Sequence, residues 1–207
     1  MKTPEKAVYI SLGPAILLIL VGIVLILRTH LPTAPVSLVS SNRSKGAADA
    51  PIQILEYSDF QCPACKIAQS TLTQLLKQYP GKIKIVYMHF PLDAHRWSPM
   101  AHRAAECAAR EQRFWEFHDH LYAEQDQWSK KSDAPIEEML SYAKESGVKD
   151  LNRFALCLGS NQTDETIYKD RDSGIGLGVR STPSFFVNGE LAVGSDDLAK
   201  KIAKRVQ

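Results

Sequence analysis

The chain is short of cysteine, short of net charge and free of repeats. Four cysteines stand in 207 residues, too sparse for a small domain stapled by disulfides. Lys and Arg nearly balance Asp and Glu, leaving a net charge of +2 with no long basic run. The electrostatic footprint of a nucleic-acid binder is therefore missing. No low-complexity segment and no separate dimerisation domain is visible, and the length suits one sizeable domain. A second Cys-x-x-Cys, or a histidine pair that would complete a zinc site, is also absent. His118 and His120 stand two apart and would point to different faces of a helix. Lys66 rather than histidine follows Cys65, which excludes a covalent haem site.

Charge is missing locally as well. From Ala7 to Leu27 there is no charged residue, and as a helix this run would reach roughly 30 Å, the thickness of the hydrocarbon core. Lys2 and Lys6 precede it and Arg28 closes it. The sequence predicts an uncleaved single-pass anchor over residues 1–28. That reading is favoured over a cleaved signal because the nearest small-x-small site, Ala48-Asp49-Ala50, lies far downstream. Arg28, Arg43 and Lys45 on one side nearly match Lys2 and Lys6 on the other, so loop charge leaves the orientation open. Residues 29–50, broken by Pro32, Pro35, Ser37, Ser40, Ser41, Ser44 and Gly46, read as a flexible tether.

The domain over 51–207 reads as strand, helix, strand, a helical insert over about 93–178, then hairpin and helix. Ile52 to Tyr57 and Lys82 to Phe90 carry strand formers. Between them Cys65 to Gln78 has helical spacing, ended by Pro80-Gly81. Such a unit implies a parallel pair with a right-handed crossover. One long helical stretch is predicted from Ser98 to about Glu124, followed by helices over 135–145, 151–158 and 162–175. Asn188-Gly189 signals a hairpin turn between Ser184–Val187 and Glu190–Val193. Ser195 is the predicted cap of a last helix over 196–206.

The chemistry sits at Cys62-Pro63-Ala64-Cys65. A lone Cys-x-x-Cys is either half a zinc site or a redox pair. Its place after a strand and at the start of a helix favours redox. Cys62 would meet the unpaired amides and dipole of the helix N-terminus, which stabilise a thiolate. Pro63 suits the first helical turn, and Cys65, one turn in, would be more buried and less reactive.

Leu55-Glu56-Tyr57-Ser58-Asp59-Phe60-Gln61-Cys62-Pro63-Ala64-Cys65 resembles the active-site entry of the DsbA-like branch of the thioredoxin superfamily. Val179 to Gly189, through Ser181-Thr182-Pro183-Ser184, is similar to that branch's second signature. Phe90-Pro91-Leu92 and Phe114-Trp115-Glu116-Phe117-His118-Asp119 also match its wording. The likeness covers about residues 51–206. It implies an α/β thioredoxin fold with a helical insertion, preceded here by the transmembrane helix. Cys62 would be the exchanging sulfur and Cys65 its buried partner. Pro183 would be a cis-proline facing them, with Thr182 offering backbone hydrogen bonds to substrate. Read alone, Thr182-Pro183 is only an extended or turn dipeptide.

The resemblance further implies thiol–disulfide exchange with cysteine-containing exported proteins, with no cofactor and no metal. The domain would lie on the extracytoplasmic side, monomeric, with a membrane redox partner to recycle the pair. Glu56 reads equally as an ordinary strand-end carboxylate and as a proton acceptor for Cys65. Ala64 departs from the histidine of the best-known oxidase of this branch and removes one source of thiolate stabilisation. Disulfide donation is the favoured direction. A reductase or isomerase, a non-catalytic tether and a metal chaperone remain as alternatives. Cys107 and Cys157 read as a structural bridge in an exported domain, closing a loop worth about 4 kcal/mol in the chain-entropy model. The competing reading is two free buried thiols. His89, His95, His102, His118 and His120 read as surface or core-edge groups.

Overall fold

A computed structural model describes residues 41–206. The predicted anchor and most of the tether lie outside these residues. Among the described residues no helix is long and apolar enough to cross a membrane.

Among the described residues five strands form the sheet: β1 (Ser44–Gly46), β2 (Ile52–Ser58), β3 (Ile83–His89), β4 (Ser184–Val187) and β5 (Glu190–Val193). Their order is β1-β3-β2-β4-β5. β2 and β3 are parallel, with Glu56 opposite Tyr87, and every other pairing is antiparallel. Helix α1 (Pro63–Gln78) provides the crossover between β2 and β3. The insert holds α2 (Ser98–Arg110), α3 (Phe114–Ala123), α4 (Gln125–Trp128), α5 (Ile136–Glu145), α6 (Leu151–Leu158) and α7 (Asp164–Gly176), and α8 (Gly194–Ala203) closes the chain. The mixed α/β order with a helical insertion matches the sequence reading.

Two apolar clusters hold the layers. Ile52, Ile54, Ile83, Ile85, Phe185 and Val187 on the sheet meet Ala68, Leu72 and Leu75 of α1 and Leu198 and Ile202 of α8. The second cluster joins Phe60, Tyr87 and both motif cysteines to Ala101, Ala104, Ala105 and Ala108 of α2 and to Phe114, Phe117 and Leu121 of α3. Alternation along each strand sends neighbours to opposite faces. The opposite face carries Tyr57, which meets Phe90 and Phe186 edge-on. There Gly174 of α7 leaves no room for a side chain, since a Cβ would come within 2.8 Å of the Tyr57 ring.

Three sequence expectations need correction. The long helix over 98–124 is broken: Gln112 takes a left-handed φ of 58°, and Arg113 N–H closes onto Ala108 O at 2.9 Å. The reversal folds the aromatic α3 back onto the alanine face of α2, burial that a straight helix would forfeit. The last helix begins at Gly194 without a Ser195 cap; instead Asp197 Oδ2 accepts the Val193 N–H at 3.2 Å.

The third correction concerns the tether, which was expected to run to residue 50. Ser41–Arg43 forms a 3-10 turn and β1 pairs with the sheet edge. Gly46 (φ 104°) is required there, because a Cβ would meet Ile83 O at 2.2 Å. Arg43 is almost fully buried. Its Nη1 donates to Tyr87 O at 3.1 Å and to Asp170, and its Nε lies 3.0 Å from Glu106 Oε1. Glu106 also meets His89 Nε2 at 2.7 Å, and His89 Nδ1 lies 2.6 Å from His102 Nδ1. Burial holds both imidazoles well below their ordinary range, so they sit neutral. A polar segment that looks like tether thus supplies the cation for a buried acid cluster.

Cys107 of α2 and Cys157 of α6 are bridged, with Cα atoms 5.9 Å apart. Removing one side of a buried ion pair leaves the other uncompensated. Arg43→Ala should therefore lower the unfolding free energy by about 3–5 kcal/mol in urea denaturation; a loss below about 1 kcal/mol would return residues 41–46 to the tether.

Candidate active site

The site is built where β2 hands over to α1. Pro63 occupies the first helical turn, and Cys62 is the N-cap residue with extended backbone (φ −76°, ψ 121°). At this open end of the helix the amides of Ala64 and Cys65 act on the Cys62 sulfur. Cys62 N–H closes on Asp59 O and Cys65 N–H on Cys62 O, each at 3.1 Å. Cys65 is fully buried and Cys62 nearly so. Both are free thiols.

Across from the motif, the Thr182–Pro183 peptide is cis. It brings Thr182 O to 3.5 Å from Cys62 Sγ, which donates to it. Thr182 is buried, and its hydroxyl has no hydrogen-bond partner.

The two sulfurs are electrostatically opposite. The Cys62 thiol falls to about 5. The hydrogen bond from the Cys65 thiol is the largest cause; the amides of Cys65 and Ala64 add to it, against the opposing effect of burial. Burial, and then the neighbouring Cys62 sulfur, push Cys65 well above the ordinary thiol range. The arrangement can present one thiolate while keeping one proton in reserve.

The structure brings Cys62, Pro63, Ala64, Cys65, Thr182 and Pro183 to one place. Glu56 lies beneath them on β2, fully buried, where its Oε1 accepts from Gln69 Nε2 of α1 at 2.7 Å. Burial raises its carboxyl, partly offset by His118, Gln69 and Ser58. Cys107 and Cys157 are joined elsewhere, in the insert.

Sequence reasoning missed the residues that fix the motif's backbone. Asp59, fully buried, accepts from Gln61 N–H (2.7 Å), Leu92 N–H (2.8 Å) and His95 Nδ1 (2.8 Å), and its own N–H points at Cys65 Sγ (3.5 Å). Burial works against the Asp59 charge, but the bond from His95 and the two amides outweigh it, and its carboxyl stays low. His95 is raised in turn, chiefly by Asp59 and further by Cys62. Gln125 of α4 donates to Phe60 O (2.7 Å) and Cys62 O (3.0 Å). Asp59 precedes the motif by three positions, a signal the sequence offered; Gln125 carried none. Among the described residues, no three His, Cys, Asp or Glu side chains are grouped as a metal would require.

The model of the thioredoxin family matches residues 39–203. A probable disulfide bond formation protein D from Bacillus cereus is 34% identical over 78% of this chain and 77% of its own length. A Na(+)/H(+) antiporter, NhaA 3, from Salinispora tropica is 38% identical over 70% of this chain; the match spans only 21% of the antiporter. Among solved structures, oxidised BdbD from Bacillus subtilis superposes with a TM-score of 0.69 at 23% identity, covering 78% of this chain and 91% of that one.

Cys62 should titrate at about 5 when thiolate absorbance is followed against pH, and Cys65→Ala should raise that value by removing its largest cause. The depressed Cys62 thiol stabilises the folded reduced form fully above its ordinary value of 9.0, and the gain disappears as pH falls through about 5. Urea unfolding of the reduced protein against the oxidised one should show their difference changing across that window. A difference flat with pH would contradict the assignment, since Glu56 and Asp59 affect both forms.

Proposed function

The chain belongs to the thioredoxin family, in its DsbA-like branch, and from that premise we propose that it is an extracytoplasmic thiol–disulfide oxidoreductase acting as a disulfide donor to exported proteins through Cys62-Pro63-Ala64-Cys65. The observation that carries this reading is the asymmetry of the two sulfurs. A thiolate held at Cys62 with a protonated Cys65 behind it stabilises the reduced pair. A pair whose reduced form is stabilised accepts electrons from substrate thiols and passes its disulfide on.

The reaction runs through a mixed disulfide. A substrate thiolate attacks Cys62, the Cys62–Cys65 bond breaks, and Cys65 leaves with the electron pair and acquires a proton. A second substrate thiolate attacks its own bonded sulfur, releasing Cys62 as a thiolate. The substrate loses two electrons and the pair gains two. Cys62 is the better leaving group because its thiol is the more acidic. Beside it, the Thr182 carbonyl and the adjoining cis peptide offer an extended backbone edge, which suits a substrate chain laid alongside as a strand would be.

Residues 1–28 anchor this domain with the N-terminus in the cytoplasm, and the stretch up to Ser41 tethers it. The domain works as a monomer, and a membrane redox partner reoxidises the pair. That the antiporter relatives match over about a fifth of their length supports a module compatible with attachment to a membrane segment.

Equilibration of the pair with glutathione should give a reduction potential above about −200 mV, with Cys62→Ser abolishing oxidation of a reduced test protein. A potential near or below about −270 mV would instead indicate a reductase or a structural disulfide. Full biological activity in Cys62→Ser would indicate a tether, and stoichiometric metal on the reduced protein a metal chaperone.

A further inference from the structure

Disulfide donation leaves the choice of substrate open, and the loops that border Cys62 bear on it. One is the segment after β3. His95 Nδ1 meets Asp59 Oδ2 at 2.8 Å, and Trp97 N–H donates to Gln61 Oε1 at 2.8 Å. Arg96, between those two residues, is bracketed by contacts to the turn that presents Cys62. Its guanidinium lies over the Trp97 ring, 4.4 Å from the centroid, a cation–π arrangement. The ring is fixed in turn, since Trp97 Nε1 donates to Lys131 O at 2.9 Å. Gln61, the residue before Cys62, also reaches the segment after α4, where its Nε2 donates to Ser129 O at 3.1 Å.

The other border is the loop of the cis peptide. Arg180 stands two residues before Thr182, whose carbonyl lies 3.5 Å from Cys62 Sγ. Its Nη1 donates to Ile175 O at 3.2 Å and to Val179 O at 3.1 Å, which holds it at the C-terminal end of α7. Ser184 Oγ donates to Ser181 O at 2.8 Å and closes the loop. Arg96 and Arg180 are both exposed.

Charge on these borders does not cancel. Cations on the adjoining segments are neutralised: Lys66 and Lys130 share Asp126, Lys131 meets Glu138, and Arg171 meets Asp93. Arg43, Arg103, Arg113, Arg153 and Arg205 likewise each meet a carboxylate. Among the described residues neither Arg96 nor Arg180 does; their partners are an aromatic face and backbone carbonyls. Two cations without counter-charges thus stand on the two loops that border the exchanging sulfur. Each is already held in place, which lowers the side-chain entropy that an ion pair would cost.

We propose that Arg96 and Arg180 are specificity-determining residues, selecting substrate segments that carry carboxylate side chains beside the reacting cysteine. The proposal rests on the donating reaction above and names its substrate class. In that reaction the substrate thiolate attacks Cys62 Sγ, a bond forms between those two sulfurs, and Cys65 leaves with the electron pair of the broken disulfide. A substrate chain laid along the Thr182 edge advances about 3.3 Å per residue, so the side chains that meet the arginines lie roughly one to three positions from its cysteine. Acidic side chains there gain an ion pair, and lysines are repelled. Complementary charge at such a rim acts chiefly on the rate of encounter.

The test uses the oxidised full-length chain and three acetylated, amidated pentapeptides, each with a central cysteine flanked on both sides by Asp, by Asn or by Lys. The rate at which each peptide reduces the Cys62–Cys65 pair is divided by its rate with hydroxyethyl disulfide, an uncharged disulfide, which removes differences between the peptide thiols. The corrected rate should be about three- to tenfold higher for the Asp peptide than for the Asn peptide at about 20 mM salt, and the ratio should shrink toward one at about 500 mM. Arg96→Gln and Arg180→Gln should each lower that ratio by about twofold or more. Arg96→Glu should turn the preference toward the Lys peptide, a reversal that a loosened loop would not produce. A ratio near one in the unaltered chain would overturn the proposal, as would a ratio unmoved by either Gln substitution. An unaltered chain that reacts with none of the peptides would instead overturn the exchange reading itself.

Discussion

Two sulfurs a single helical turn apart, one at the open end of a helix and one inside the core, cannot carry the same charge. The hydrogen bond between them is the constraint from which the rest of the site follows. It holds Cys62 near 5 only while Cys65 keeps its proton, and burial ensures that Cys65 does. The Ala64 side chain adds neither charge nor hydrogen bond, so the asymmetry has to come from position: amides in front of Cys62, the Thr182 loop beside it, apolar packing around Cys65. Any change that lets water reach Cys65 would lower its thiol and weaken the bond that acidifies Cys62.

That arrangement demands rigidity from a short stretch of backbone, and the molecule provides it with buried polar groups. Asp59 gathers two amides and a histidine from the segment after β3, and Gln125 clamps two carbonyls of the motif from the insert. Buried polar groups stabilise only when fully partnered, so these contacts fix geometry more than they add free energy. The insert is held in turn from two directions, by the Cys107–Cys157 bridge between α2 and α6 and by Arg43, which ties the sheet-edge segment to Glu106 of α2 and Asp170 of α7. The helices therefore do more than cover the sheet. They carry Gln125, His118 and the partners that set the active-site loop.

The sheet and the site were legible to different depths. Ile52–Ser58, the α1 pattern and the Asn188-Gly189 hairpin follow from local periodicity and turn chemistry, and their bounds came within a residue or two. Cys62 and Cys65 were legible because strand followed by helix places them. The cis peptide before Pro183 was not local information; it came from the family resemblance. Asp59 and Gln125 were missed because the partners that give them their roles, apart from Gln61, lie 33 to 65 residues away, and no spacing rule reaches that far. Arg43 was misread for the opposite reason: its neighbours Ser41, Ser44 and Gly46 have the composition of a tether, and only the acid cluster formed by distant helices explains a buried guanidinium. Gln112 broke a stretch rich in alanine, glutamate and arginine, since the burial of Phe114, Phe117 and Leu121 outweighed local propensity.

The buried histidines extend this lesson to chemistry. His89, His102 and His118 all lie inside the domain, yet they serve opposite ends. His89 and His102 are bonded to one another and to Glu106, behind Phe60 and away from the cysteines. Neutral rings there let Arg43 balance two acids without adding further positive charge to the core. His118 instead meets the exposed Asp119, with Nδ1 2.8 Å from Oδ1, and lies between the rings of Trp115 and Tyr122. Both nitrogens of His89 are engaged, which fixes its ring against Glu106 and His102. The same residue type, buried in the same core, thus supports an internal acid cluster at one place and joins an aromatic layer to a surface carboxylate at another.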